Sequence, residues 1–246
     1  MQISHSRVDC FNQCPRKYQM RYLEGLKTIP DDAADNALYL GTALHTGLEV
    51  GVEEAIEQYY GNYPVITDDH INEAIKLEAM IPKAQKMIPE GQHEVLIEDP
   101  DFKGFIDLLV PIDEEYGVFD LYDFKYSNNK QNYLNSDQLH LYKYFYEKNN
   151  PMDSIRNMYF LMVPKSKCKK IKGEDLLSYR QRLQLDLKTL EPELVPIQYD
   201  PNKVIRYLLE TKSMLEADTY PKHESFLCRY CEYERYCKKG EDWMIL

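Results

Sequence analysis

The chain has 246 residues, 43% hydrophobic and 29% charged, with a formal net charge of −11. It is apolar enough to bury a core and long enough for one large domain or two small ones. The acidic balance argues against a protein that passively coats DNA, and no apolar run approaches the ~18 residues that span a bilayer, so a soluble, cytoplasmic protein is expected.

Residues 6–26 read as a helix opened by Ser6, with Gly25 near its end. Residues 35–60 form a second long helical region, stopped by Gly-Asn-Tyr-Pro, and 68–88 a third with Pro82 as a point of interruption. Short apolar runs at 93–99, 102–112 and 117–127 then read as three neighbouring strands, the last two a hairpin. A helix at 135–149, a buried strand at 156–165, a charged amphipathic helix at 173–190, a short strand at 195–199 and a helix at 202–217 complete the order. The expected fold is α/β (α+β), a mixed central sheet flanked by helices. Five lysines in 164–173 make a local basic loop, which reads equally as a solvated loop or as a surface that meets DNA.

Several side chains stand out against this frame. Asp123 and Lys125 alternate on one face of a strand, and Asp107 lies on the preceding strand, so the two carboxylates can reach one hard divalent cation. His45 and Glu49 are four apart on one helical face, with Gly41 allowing close approach, and Gln138 and Tyr142 are four apart on another. Singly, each pattern is commonest as helix surface or core contact; their succession is not. Near the end of the chain, Cys228, Cys231 and Cys237 are spaced C-x2-C-x5-C. In a reducing compartment such clusters are more often metal ligands than disulfides.

In order, Gly41-x3-His45-x3-Glu49, Gly104-x2-Asp107, Asp123-x-Lys125 and Gln138-x3-Tyr142 resemble the PD-(D/E)XK nuclease superfamily, specifically its RecB-like exonuclease branch. Only the second half of the eponymous motif is literal, because Ile106 precedes the first Asp. The resemblance spans roughly residues 4 to 240. It implies a restriction-endonuclease-like core, with Mg²⁺ or Mn²⁺ held by His45, Asp107, Asp123 and the carbonyl of Phe124. Lys125 would be the catalytic lysine, Gln138 and Tyr142 the branch's additional motif, and Glu94 a supporting glutamate, with Glu49 a further supporting residue.

The same branch includes members with a four-cysteine iron–sulfur cluster (4Fe-4S), one cysteine coming from an N-terminal Cys-Pro element. On that pattern Cys14, followed by Pro15, joins Cys228, Cys231 and Cys237. A structural Zn²⁺ on the same thiolates is the rival. Cys10 is a candidate substitute ligand, and Cys168 reads as a free thiol. A single nuclease domain over 1–246 is expected, its core at 38–200, with 1–37 and 201–246 forming a cysteine-bearing lobe.

The similarity is greatest to CRISPR-associated exonucleases of spacer acquisition and to AddB-type nuclease modules. It implies a metal-dependent exonuclease acting on DNA ends or single strands, with recombination or CRISPR adaptation proteins as partners and oligomers in some relatives. The alternatives are a non-catalytic DNA-end-binding or adaptor subunit, and a redox sensor. No P-loop motif is present, so ATP-driven translocation is not expected. The 21 tyrosines include a set interleaved with basic residues at 16–22, readable as base-stacking groups or, more commonly, as core.

Overall fold

A computed structural model describes residues 3–28, 32–239 and 244–245. Helix α1 (His5–Gln13) starts behind Ser4, whose side chain accepts from the Arg7 N–H, and ends at Cys14, where φ is −160°. Pro15 is the cause: proline forces the preceding residue into extended backbone and then suits the first position of α2 (Pro15–Tyr18). A π-helical turn (Gln19–Leu23) and a two-residue strand β1 (Lys27–Thr28) follow. The single helix expected over 6–26 is therefore cut at the Cys-Pro step.

Likewise the region 35–60 divides into α3 (Ala37–Glu49) and α4 (Val52–Gly61), with Gly51 between them at φ +151°. By contrast α5 (Asp68–Gln85) runs through Pro82 without interruption. The proline falls in the last turn, where only one backbone bond is lost. Then come β2 (Gln92–Asp99), β3 (Phe102–Asp113), β4 (Val118–Tyr126), α6 (Lys130–Leu134), α7 (Gln138–Asn149), β5 (Ser154–Val163), α8 (Leu176–Thr189), β6 (Glu193–Ile197) and α9 (Pro201–Leu215). A 3-10 turn (Phe226–Tyr230), α10 (Glu234–Lys239) and β7 (Met244–Ile245) end the described chain.

The central sheet has the order β2-β3-β4-β5-β6, antiparallel at each step except the parallel pair β4–β5. A parallel step needs a crossover, and α6 with α7 supplies it. Alternation along the strands loads both faces with apolar side chains. On one face Ile106, Leu121 and Phe160 join Val8 of α1, Phe145 of α7 and Tyr207 of α9. On the other, Leu108, Phe124 and Leu161 join Leu44 of α3, Leu77 of α5 and Leu183 of α8. The result is a mixed five-stranded sheet flanked by helices.

The two ends of the chain meet. The Arg16 N–H donates to the Pro221 carbonyl at 3.2 Å, the Tyr233 hydroxyl donates to the Leu26 carbonyl at 3.0 Å, and Lys17 pairs with Glu232 at 3.0 Å. Strands β1 and β7 add an antiparallel pair. Among the described residues no helix is long and apolar enough to cross a membrane.

Candidate active site

The register of the sheet lines up three carboxylates. His93 pairs with Leu108 and Val95 with Ile106, so Glu94 and Asp107 fall opposite each other at a gap in the ladder. Leu108 pairs with Tyr122, and one step further along that register Asp107 meets Asp123. Like charges in adjacent strand positions repel. Two of the three are also shielded from water, Asp107 at 7% exposure and Asp123 at 0%. Glu94 reaches this row with a φ of +51°, a left-handed backbone that is costly for a non-glycine residue.

Compensation for this charge is incomplete. The Asp107 Oδ2 accepts from the Phe124 N–H at 2.5 Å, yet burial and the neighbouring Asp123 push its carboxyl up to about 7. The Lys125 ammonium lies 2.5 Å from the Asp123 Oδ2, while the buried Oδ1 has no hydrogen-bond partner among the described residues. Burial alone would lower the Lys125 pKa; the carboxylates of Asp123 and Asp107 outweigh it, and the amine is held above its ordinary value. Aromatic rings complete its surroundings, with Tyr133 at 5.5 Å and Phe160 at 5.9 Å from the nitrogen.

His45 comes from α3, on the far side of the row. Its Nε2 lies 3.2 Å from the Phe124 carbonyl oxygen, and its Nδ1 lies 3.5 Å from Asp107 and 3.8 Å from Glu94. Burial opposes charge on the ring, but Glu94, Asp107 and Asp123 together hold its pKa above the usual histidine value. The ligand atoms of His45, Glu94 and Asp107 lie within 4.8 Å of one another. Glu94 thus stands inside the ligand group, beyond the supporting place the sequence suggested. Glu49 lies exposed at the end of α3, outside that group. Gly41 gives no close approach, since a Cβ there would meet nothing within 4 Å; Gly47 is the tight helical glycine, against Ile81.

Gln138 and Tyr142 meet as their spacing suggests, the amide of Gln138 donating to the Tyr142 hydroxyl at 2.8 Å. Tyr142 fits because residue 104 is glycine: a Cβ there would sit 2.8 Å from its ring. Burial, then the Asp123 charge, raises the pKa of this phenol, so it remains protonated. Asp123 and Lys125 lie behind the lining of a cleft of about 680 Å³; His45, Glu94, Asp107, Gln138 and Tyr142 border it, and it also takes in His5, Arg7 and Lys103. None of these last three belongs to a motif. His5 and Arg7 arrive by tertiary packing of α1, and nothing in the local sequence marks them.

The donor set fits a hard divalent cation: the carboxylates of Glu94 and Asp107 and the His45 imidazole form the close group, the Phe124 carbonyl lies 3.2 Å from that imidazole, and Asp123, on the adjoining strand and outside the close group, keeps a buried Oδ1 with no hydrogen-bond partner among the described residues.

The cysteines give a different geometry. Cys14, Cys228, Cys231 and Cys237 border one cavity of about 200 Å³, together with Lys17 and Lys222. Among the described residues, no three of these sulfurs come within 4.8 Å of one another. A tetrahedral zinc would need them about 3.8 Å apart, given Zn–S bonds of about 2.3 Å. Cys10 belongs to the core cluster that holds Val8 and Tyr18 and is not among the residues lining this cavity. Cys168 is a free thiol whose sulfur accepts from the Arg182 guanidinium at 2.9 Å.

Comparison with known proteins places this geometry. A profile of the PD-(D/E)XK nuclease superfamily matches residues 2–238. No curated protein sequence matches the chain. Among solved structures, a candidate exonuclease from Eubacterium rectale superimposes with a TM-score of 0.56 at 13% identity, over 93% of this chain and 87% of that one.

Proposed function

Because the chain belongs to the PD-(D/E)XK nuclease superfamily, we propose that it is a divalent-metal-dependent DNA exonuclease of the RecB-like branch. The observation that carries this reading is the row Glu94–Asp107–Asp123, with a buried Asp123 Oδ1 that has no partner among the described residues and the Lys125 ammonium on Oδ2 at its end. Such a row is destabilising on its own and is relieved by a cation.

Asp107, Asp123, His45, Glu94 and the Phe124 carbonyl would hold Mg²⁺ or Mn²⁺. When bound, that ion supplies charge compensation for phosphodiester hydrolysis. Lys125 has its pKa held up by the carboxylates of Asp123 and Asp107, which favour its charged form. Its role is to stabilise negative charge developing on phosphorus. Gln138 and Tyr142 act as a hydrogen-bonded pair that positions the phosphate against the row.

The four cysteines around one cavity support an iron–sulfur centre that ties α1 to the C-terminal segment. This arrangement is the ground for the likeness to CRISPR-associated and AddB-type nucleases, and for recombination or CRISPR adaptation proteins as partners. Brown colour with bound iron and sulfide after anaerobic purification, lost in Cys14→Ala, is the expected result. A brown Cys14→Ala protein would remove that residue from the ligand set.

Exonuclease action, the activity named for the Eubacterium rectale protein, is tested with linear and covalently closed circular single strands in Mn²⁺. Linear DNA degraded while circles persist is the expected outcome. Equal loss of circles would make the enzyme an endonuclease.

A further inference from the structure

A second cleft, of about 590 Å³, adjoins the first, and His5 and Gln138 border both. Lys125 lies close to this junction: its nitrogen is 5.5 Å from the Tyr133 ring, which lines the second cleft. Helix α1 is a wall common to both clefts. Its first turn borders the carboxylate cleft, and Asn12 and Gln13 border the second. A strand lying along the first cleft would have the second beside it, open to a base turned away from the phosphate path.

The two clefts differ in chemistry. The first carries Arg7, over the Tyr22 ring at 4.6 Å, and Lys103, paired with Glu98 at 3.3 Å, two cations of the kind that meet phosphate oxygens. The second holds Asp9, Asp137 and Glu210 with Arg206, and Arg206 is engaged by Asp137. That balance does not favour phosphate. What it presents instead is amides. Asn12 and Gln13 are tied to Glu210 and Asp9, whereas the side-chain amides of Asn132 and Asn135 and the Tyr133 hydroxyl have no hydrogen-bond partner among the described residues. Uncharged groups offering both a donor and an acceptor match the edge of a nucleobase, and an aromatic ring matches its face. A paired base has its edge occupied, so the match is to an unpaired one.

We propose that this second cleft is the subsite for one unpaired nucleotide next to the bond being cut, with Asn132 and Asn135 reading its base beside Tyr133. The inference rests on the nuclease reading of the neighbouring row.

The test is binding in EDTA, followed by fluorescence anisotropy, of a labelled oligothymidylate and of versions with one abasic residue moved along it. For the wild-type protein, loss of the base at one position is expected to weaken binding about tenfold, the scale of a lost base contact. The double variant Asn132→Ala, Asn135→Ala should bind the intact oligonucleotide about tenfold more weakly and show no such position. Both asparagines are exposed, so an unchanged unfolding midpoint is expected and confirms that the fold persists. A flat abasic profile for wild type, or a position effect that survives in the double variant, overturns the subsite. Cleavage in Mn²⁺ is scored separately. A position effect without cleavage would sink the nuclease reading and keep the subsite; cleavage with a flat profile would do the reverse.

Discussion

His45 is held between the Phe124 carbonyl at its Nε2 and the Asp107 carboxylate at its Nδ1, at 3.2 and 3.5 Å. Both ring nitrogens therefore face acceptors, and the imidazole is stabilised as a cation. A divalent ion would take over the charge balance that the protonated ring gives these carboxylates.

Asp107→Asn follows from the uncompensated row. Asparagine keeps the acceptor for the Phe124 N–H and removes a buried charge facing Asp123. In EDTA at neutral pH the variant is expected to be more stable by about 1–2 kcal/mol, while nuclease activity is lost. Thermal unfolding checks this. Mn²⁺ should raise the wild-type midpoint and leave that of the variant nearly unchanged.

Glu94 combines a ligand with a strained backbone, and two substitutions separate the effects. Glu94→Gly relaxes the φ of +51° and is expected to stabilise the metal-free protein by about 1 kcal/mol relative to Glu94→Ala. Both should weaken Mn²⁺ binding alike, read by calorimetry. Equal stabilities for the two variants would mean that the left-handed backbone carries no cost.

Two glycines give opposite signs. In Gly104→Ala the new methyl collides with Tyr142 at 2.8 Å, so a loss of about 1–3 kcal/mol is expected, with turnover reduced through the Gln138–Tyr142 pair. Gly41→Ala meets open space inside α3 and should stabilise by about 0.5–1 kcal/mol. Urea midpoints of the two variants decide both.

His140 supplies an acid-sensitive element away from the carboxylates. The Asp200 N–H donates to its Nδ1 at 3.1 Å, so that nitrogen must stay unprotonated. Burial, assisted by Lys203, lowers the imidazole to about 4, against 6.5 in the unfolded chain. The unfolded state therefore binds the proton first. This contribution to stability is complete above pH 6.5 and is lost as pH falls toward 4, on the order of 2 kcal/mol. His140→Asn should show a shallower decline in urea midpoint between about pH 7 and 4.5. An identical decline would locate the acid sensitivity elsewhere.

The strands were legible because their period is short and local. Asp123 and Lys125 share a face by alternation, and the hairpin between β3 and β4 sets Asp107 beside Asp123. Glu94 was harder to place, because its position in the ligand group depends on a left-handed residue inside a strand. The helix boundary at Cys14 was missed although Pro15 is a direct signal for it. The second cleft could not be read at all. Its walls come from α1, α6, the start of α7 and α9, segments far apart in the chain whose polar side chains follow no shared period.

The measurement that bears most directly on this account is single-turnover degradation of end-labelled single-stranded DNA as Mn²⁺ is titrated, for wild type and Asp123→Asn. The account predicts a rate that saturates with Mn²⁺, vanishes in EDTA and falls by roughly a thousandfold or more in the variant, as expected when charge stabilisation at the reacting phosphate is removed. Cleavage that persists in EDTA, or an Asp123→Asn protein that cuts at the wild-type rate, would contradict it.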